Sequence, residues 1–420
     1  MGIGKIIYYH RKKQCKTQEQ LCNGICSVTH LSKIENNSKE ANLDTLKLLC
    51  ERLGISIEEE EKKIQDFQKK IDGFYDAIER LNKGKAHSLY NFLNSHKEYI
   101  SCTKFIFLYE LCELRYYLFL DQLDEVEKRF ESINKYKRKF SQYERYLSDF
   151  LYAIYYFKRK ELTNSLKVLN NISESVEIYS DKIKEYYYYQ ALVHSKLNHS
   201  TLAIYFGYKA LKVFQETGNI YRILHVKTII AIHLIRTGEY KAAETVLLEM
   251  LDDAELIQNV SEAARTLHNL GFLYYSQKKQ AKALDYYYKS LQLKQKYTED
   301  YYLTIGNIAQ ILVEMQEYKK VVEMLKEELC IFENKENPEY VRLNVLYLQA
   351  LGEEESLIHY LIHHGLPVMK KNDQLGETLE YAEKIASYYE KNDPPLANEY
   401  LRISNAILKS LLSNKGELQL

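Results

Sequence analysis

The chain has 420 residues, which at roughly 150 residues per domain is enough for two or three domains. It contains only 15 Gly and 4 Pro, and because sheets need turns that these residues supply, the composition favours a mostly helical protein. The 58 basic and 58 acidic side chains balance to zero, and an apolar fraction of 46% excludes a generally disordered chain.

Hydropathy along the chain predicts neither a transmembrane segment nor an export signal. The longest apolar stretches, such as 105–120, are interrupted by charged side chains before the roughly 18 residues that a membrane span requires. The short apolar run 3–9 precedes its basic residues, which is the reverse of the order in a signal peptide. We therefore expect a cytoplasmic protein.

Seven cysteines are scattered without a Cys-x-x-Cys pair, which favours reduced thiols over a disulfide framework. Four of them lie in the first 50 residues, where a zinc site is the alternative. Cys22 and Cys50 fall at helical positions that suit a small buried residue, so we favour core packing. The sequence therefore predicts no metal site and no other cofactor.

Charge is concentrated at the N-terminus. Residues 1–53 contain nine basic and five acidic side chains, a net charge of +4, and the rest of the chain carries −4. The basic segment is the candidate for contact with a polyanion.

Four short helices are predicted in this segment. Thr17 and Gln20 form a capping box, Ser27 is an N-cap, and Gly24 permits a tight turn between the second and third helices. Gly54 is a C-cap for the fourth helix. The predicted helices span 3–13, 18–23, 28–36 and 43–53. Two short helices around a small turn are typical of a helix-turn-helix.

The helix 28–36 presents a polar face. Successive residues of a helix are rotated by about 100°. If Leu31 and Ile34 face the core, this rotation points Thr29, Ser32, Lys33 and Asn36 outward. Lys33 would read guanine or bind phosphate, and Val28 would touch a thymine methyl group unless it packs in the core. For His30, packing in the core and contact with DNA are equally open. For the whole segment, the alternative is a small helical bundle without a nucleic-acid role. The candidate recognition residues are Ser27, Val28, Thr29, His30, Ser32, Lys33 and Asn36.

The string TQEQLCNGICSVTHLSKIENN, followed by LDTLKLLCERLGIS, resembles the phage-repressor-like helix-turn-helix family over residues 3–57. This resemblance implies that Gln18 holds a phosphate and that the helix beginning at Ser27 enters the major groove. Asn37 stands where the family usually has Gly, but Asn also tolerates the left-handed conformation that a C-cap needs. We therefore expect residues 1–57 to be a DNA-binding domain.

A helix is predicted directly after this domain. Ser56 and Glu59 form a capping box that opens a helix through about Ile71. We expect 58–72 to be a linker helix and 73–420 to be a repeat domain.

Pairs of small residues recur along that domain. The segment LGFLYYSQKKQAKALDYYYKSL carries Gly271, Tyr274, Ala283 and Tyr287 at the spacing of the tetratricopeptide repeat. The first small position recurs as Ala191, Ala231, Gly271 and Ala309, and its partner as Ala203, Ala243, Ala283 and Val321. We therefore expect an all-α fold in which the helix-turn-helix domain is followed by a right-handed tetratricopeptide-repeat superhelix.

The concave groove of such an array suits an extended peptide. Asn269 and Asn307 both lie two residues before the small position, and an Asn amide can donate to a peptide carbonyl while accepting from its amide. Ordinary surface asparagines are the alternative. The candidate peptide-binding residues are Arg236, Arg265, His268, Asn269, Tyr275, Asn307 and Gln310.

A repressor-type helix-turn-helix followed by a long tetratricopeptide array resembles the peptide-pheromone receptors of Gram-positive bacteria, the Rap, Rgg, NprR, PlcR and PrgX group. The string TQEQLCNGICSVTHLSKIEN is similar to the PlcR and NprR branches, and the length is closest to the neutral-protease regulator branch, NprR. The resemblance implies a cytoplasmic quorum-sensing transcription regulator that binds operator DNA and a short signalling peptide. It also implies a homodimer or tetramer and, in this branch, a response regulator as a second partner.

Two other classes of function remain open. One is a repeat scaffold that binds a folded protein and uses its helix-turn-helix only to anchor it to DNA. The other sequesters or dephosphorylates a response regulator of a phosphorelay through the helices of residues 60–110, where Gln65, Gln68 and Asp72 would position water. Because no nucleophile, base and metal constellation converges in the sequence, we expect no intrinsic enzyme.

Overall fold

The computed structural model describes residues 3–38, 42–179 and 182–416, with side chains described as far as Lys409. Within these residues all regular secondary structure is helical, which confirms the predicted fold class. The chain divides into two compact units, Met1–Val226 and Lys227–Leu420.

The first unit contains fourteen α-helices in its described residues and the start of a fifteenth. They are α1 (Ile3–Lys13), α2 (Gln18–Cys22), α3 (Val28–Glu35), α4 (Leu43–Leu53), α5 (Ile57–Glu79), α6 (Lys83–Ser95), α7 (Lys97–Ser101), α8 (Ile106–Phe119), α9 (Leu123–Asn134), α10 (Gln142–Lys158), α11 (Leu162–Asn171), α12 (Val176–Tyr179), α13 (Tyr186–Lys196), α14 (Ser200–Glu216) and α15 (Ile220–Arg236).

The four N-terminal helices form where the caps predict them. Thr17 makes both hydrogen bonds of its capping box with Gln20, and Gly54 ends α4 in the left-handed conformation, with φ 67°. The helices α2 and α3 each end one residue earlier than predicted. Cys22 and Cys50 lie in the buried core of these helices, as expected for small apolar side chains.

The helix α5 is longer than predicted. Ser56 caps it by accepting from the backbone N–H of Glu59 at 3.3 Å. The helix continues without a break past Ile71 to Glu79 because Phe74 and Ile78 extend its buried apolar stripe.

The C-terminal end of α5 is fixed by residues far along the chain. The backbone N–H of Lys184 donates to the Glu79 carboxylate at 3.2 Å. The Glu79 backbone carbonyl accepts from Asn219 Nδ2 at 3.1 Å and from Arg222 Nε at 3.2 Å. These bonds join the long helix to the loop before α13, to the residue that precedes α15 and to the first turn of α15, all inside the first unit.

The second unit continues the hairpins. Its helices are the rest of α15, α16 (Tyr240–Leu256), α17 (Val260–Ser276), α18 (Gln280–Leu293), α19 (Glu299–Glu314), α20 (Tyr318–Ile331), α21 (Pro338–Leu351), α22 (Glu354–Tyr360), a π-helical segment (Leu361–Gly365), α23 (Leu366–Lys371), α24 (Leu375–Tyr389) and α25 (Pro394–Gly416).

The small residues of the predicted register allow close packing within hairpins. A Cβ added to Gly271 on α17 would lie 2.7 Å from the ring of Tyr287 on α18. The partner Ala283 and the next pair, Ala309 and Val321, are fully buried. The predicted role of these positions in helix packing is confirmed.

Candidate functional site

The candidate recognition helix α3 carries an exposed polar face. Ser27 caps it by accepting from the backbone N–H of His30 at 3.1 Å. Thr29, Lys33 and Asn36 are exposed, and Val28 is 43% exposed. The remaining candidates, Ser32 and His30, are half-buried.

Gln18 is held against the end of this helix. Its Nε2 donates to Glu35 Oε2 at 2.7 Å. The same carboxylate is paired with Arg11, whose Nε and Nη2 lie 2.6 and 2.9 Å from its two oxygens. The hydrogen bond to Glu35 raises the pKa of Arg11. The second amide hydrogen of Gln18 is the donor that the predicted phosphate contact would use.

Three of the predicted peptide-binding residues line one cavity in the second unit. Tyr275, Asn307 and Gln310 face a space of about 490 Å³. His268 lies behind Asn307, with its Nε2 3.4 Å from Asn307 Nδ2. The cavity therefore brings together three of the seven candidates, and a fourth, His268, contacts one of them without lining the cavity.

The other three candidates do not line this cavity. Asn269 is only 7% exposed, and its Nδ2 is buried with no hydrogen-bond partner among the described residues. Arg265 pairs with Glu262 on its own helix at 3.1 Å. Arg236 is at the end of α15, where its charge adds to the effect of burial in lowering the pKa of His233.

Sequence reasoning missed the cavity residues that come from later helices. The helix α21 contributes Arg342, and α24 contributes Glu377, Glu380 and Lys384. Arg342 Nη2 donates to Asn307 Oδ1 at 2.7 Å. The available signal was that Arg342 is the one charged residue in the otherwise uncharged stretch 340–351.

A chain of hydrogen bonds orients Asn307 from behind. Thr304 donates to the carbonyl of Asp300 at 3.0 Å and accepts from Lys294 Nζ at 2.7 Å. His268 Nδ1 lies 2.9 Å from the same hydroxyl oxygen, so this nitrogen carries the proton. Its Nε2 is then the acceptor that faces the amide nitrogen of Asn307.

His268 stays in one protonation state near neutral pH, whereas Lys294 does not. Burial, followed by the charges of Lys294 and Arg342, lowers the pKa of His268 to about 3. Burial also lowers the pKa of Lys294 to about 8. The imidazole of His268 is therefore neutral across the physiological range, and its titration does not alter the contact with Asn307 there.

Glu314 on α19 does not line the cavity, but it holds two residues that do. Its Oε1 accepts from the Tyr275 hydroxyl at 2.5 Å and from Gln310 Nε2 at 3.0 Å. Burial and this hydrogen bond raise the pKa of Tyr275 to about 12. Both predicted residues are thus held in place by a carboxylate that the sequence analysis did not single out.

A separate cavity of about 970 Å³ lies within the first unit. Gln68 and Asp72 line it together with Glu79, whereas Gln65 does not. Within the described residues, no cluster of three or more potential metal ligands is found. None of the described helices is both long and apolar enough to span a membrane.

Comparison with known proteins finds relatives that share these features. A helix-turn-helix family matches residues 7–59, and a tetratricopeptide-repeat family matches residues 263–297. The transcriptional activator NprA of Geobacillus stearothermophilus is 25% identical over 416 residues, which cover 94% of this chain and all of NprA. The chain is similar to this transcriptional activator along nearly its whole length.

Solved structures agree with the NprR-like fold. The apo form of the quorum sensor NprR from B. thuringiensis is 20% identical, with a TM-score of 0.67 over 84% of this chain and 99% of that one. A structure of NprR in complex with its cognate peptide NprX covers 82% of this chain and 98% of that one, at 20% identity and a TM-score of 0.57. The predicted resemblance to the NprR branch is confirmed, and so is the predicted combination of a helix-turn-helix with tetratricopeptide repeats.

Proposed function

We propose that this chain is a quorum-sensing transcription regulator controlled by a short peptide. Residues 1–57 bind operator DNA, and residues 58–72 connect this domain to the repeats of 73–420. The repeats bind the peptide and provide the contacts between protomers. The regulator acts in the cytoplasm, where both DNA and a re-imported peptide are available, and it acts by binding rather than by catalysis.

The observation that carries this proposal is the cavity around Asn307. An amide with one carbonyl and one N–H₂ group is oriented in a partly desolvated space of about 490 Å³, next to charged groups of both signs. These features suit a peptide, whose backbone presents a carbonyl and an N–H at every residue. The relative NprR binds a peptide, as its solved complex states.

The DNA-bound form is a homodimer in this proposal. One small domain offers few contacts, and helix-turn-helix proteins read paired half-sites about 34 to 36 Å apart or at a multiple of that spacing. Operator selection from random duplex DNA, followed by footprinting, tests this. Two protected half-sites per complex are expected, and a single half-site protected by a monomer contradicts the dimer.

The peptide is tested with the same selected operator. Short synthetic peptides encoded beside the gene are added to the full-length protein, and DNA affinity and melting temperature are measured. A peptide at 100 times its dissociation constant is expected to stabilise the protein by about 2.7 kcal/mol and to change operator affinity. If no peptide does either, while a purified response regulator binds the repeats, the phosphorelay alternative replaces this proposal.

A further inference from the structure

Arg342 is hydrogen-bonded to the carbonyl oxygen of Asn307, which is the atom that would accept a hydrogen bond from a peptide N–H. Its Nη2 donates to Asn307 Oδ1 at 2.7 Å. The amide nitrogen of Asn307 makes only long contacts, 3.4 Å each, to His268 Nε2 and the Tyr287 hydroxyl. The shortest hydrogen bond of the Asn307 side chain is therefore the one that Arg342 makes to its carbonyl oxygen.

The guanidinium group of Arg342 has further capacity for hydrogen bonds. It carries five N–H donors, and among the described residues only the bond to Asn307 uses one. The nearest carboxylate, Glu339 on the same helix, lies 3.8 Å from Nη1, which is too long for a hydrogen bond. The Arg342 side chain is 25% exposed at the cavity wall, so its free donors are accessible to a ligand.

The other charged groups of the cavity define where an anion fits. Glu314 on α19 lies outside the lining of the cavity and accepts from Tyr275 and Gln310. Lys384 on α24 donates to Gln349 at 3.1 Å, and Glu377 and Glu380 lie on the same helix. A single ligand carboxylate is best placed at Arg342, whereas a ligand with several negative charges would meet the glutamates of α24.

We propose that Arg342 binds a ligand carboxylate in this cavity and that, without a carboxylate, it keeps the carbonyl oxygen of Asn307 hydrogen-bonded. A guanidinium binds a carboxylate through two parallel, charge-assisted hydrogen bonds, which are stronger than its bond to a neutral amide. A peptide carboxylate therefore draws Arg342 away and releases Asn307 Oδ1 to accept from a peptide N–H. A peptide without that carboxylate has to compete with Arg342 for the same oxygen.

This inference depends on the proposed peptide binding and adds the chemical class of peptide that the cavity selects. The test begins with full-length protein and two random hexapeptide libraries, one with a free C-terminal carboxylate and one amidated. Each selected peptide is then made in a carboxylate form and a matched neutral form, with the acidic group replaced by the corresponding amide. Both forms are titrated calorimetrically into the wild type, Arg342→Met and the control Arg402→Met, at an exposed arginine of α25.

The wild type is expected to bind the carboxylate form at least tenfold more tightly than the neutral form. Arg342→Met should lower the affinity for the carboxylate form at least tenfold and should not lower the affinity for the neutral form. It should bind the neutral form as tightly as the wild type or more tightly, because Asn307 is no longer occupied. Arg402→Met, which changes an exposed arginine outside the cavity, should match the wild type for both forms.

The possible failures are distinguishable. If the wild type selects no peptide from either library, peptide binding itself is wrong and the receptor role falls with it. If peptides bind but the two forms are equal in the wild type, or Arg342→Met weakens both forms alike, Arg342 has only a structural role and peptide binding stands. Arg342→Gln replaces the Met variant, under the same criteria, if the melting temperature shows that Arg342→Met does not fold.

Discussion

Arg11 on α1 and Glu35 at the end of α3 form a bidentate ion pair in which both residues are only 5% exposed. Because Glu35 also accepts from Gln18, one carboxylate joins three of the helices in the DNA-binding domain. The orientation of the candidate recognition helix is therefore coupled to a buried charge pair.

Removing the carboxylate should destabilise this domain strongly. Glu35→Ala leaves the Arg11 charge buried without its partner, and such a change costs about 3 to 5 kcal/mol. Urea denaturation of the full-length protein, monitored by circular dichroism, measures the loss. Glu19→Ala on the exposed side of α2 is the control and should change the free energy of unfolding by less than about 0.5 kcal/mol.

Base recognition and phosphate contact should separate by mutation. Replacing Thr29 and Lys33 by Ala should abolish operator preference, since each base contact contributes about 1 to 3 kcal/mol of discrimination. Gln18→Ala should lower the affinity for all DNA sequences to a similar extent, because phosphate contacts carry no sequence information. Fluorescence anisotropy with the selected operator and a scrambled duplex measures both. An operator preference that survives in the double variant contradicts the assignment of this face.

Asn307 should contribute more to peptide affinity than its repeat equivalent Asn269. Asn307→Ala removes hydrogen bonds in the cavity and should cost about 1 to 3 kcal/mol of peptide binding. Asn269→Ala is the matched control, because Asn269 does not line the cavity, and it should leave peptide affinity within about twofold. Calorimetric titration of a peptide from the screen compares them. Equal losses in the two variants would mean that the binding groove follows the repeat register instead of this cavity.

Gly271→Ala should disturb the hairpin of α17 and α18. The new Cβ would lie 2.7 Å from the Tyr287 ring, and overpacking of this kind costs about 1 to 3 kcal/mol. The control is Gly376→Ala on α24, where no atom lies within 4 Å of the added Cβ and the higher helix propensity of Ala is favourable. Thermal unfolding of both variants gives the comparison, and a Gly271→Ala protein as stable as the wild type would show that Tyr287 moves freely.

Glu79 should make the stability of the protein fall as pH rises. Burial, followed by the nearby charge of Glu185, raises the pKa of Glu79 above its ordinary value of 4.5. The folded state therefore binds a proton that the unfolded state has released in the range above pH 4.5, so the free energy of unfolding decreases with pH, by about 1.4 kcal/mol for each unit of raised pKa. Glu79→Gln should be more stable than the wild type at pH 8 and closer to it at pH 5. Urea titrations at both values test this, with Asp66→Asn on the exposed side of α5 as the control. An equal difference at the two pH values would contradict it.

The sequence predicts the N-terminal domain well because its signals are local. Thr17, Ser27 and Gly54 each specify a helix end through their own side chain or backbone, and no distant residue is needed. The repeat register is predictable for a similar reason, since Gly271 and Ala283 mark a contact within a single hairpin.

The cavity is less predictable because five helices make it, and α21 and α24 are distant from α17, α18 and α19 in the sequence. The register identifies the face of α19 that carries Asn307, but it does not specify what α21 and α24 place beside it. Asn269 has the same register position and is nevertheless buried outside the cavity. Burial depends on the helices that pack around a position, which spacing alone does not encode.

The length of α5 gives the first unit a mechanical property. A helix of 23 residues is about 35 Å long, so a tilt of about 10° around its fixed C-terminal end displaces its other end by about 6 Å. Three residues separate that N-terminal end of α5 from α4, the last helix of the DNA-binding domain. A small rotation near Glu79 is therefore amplified into a shift that is a substantial fraction of the major-groove width, roughly 12 Å. Two domains displaced in this way in a dimer would no longer match the same half-site spacing.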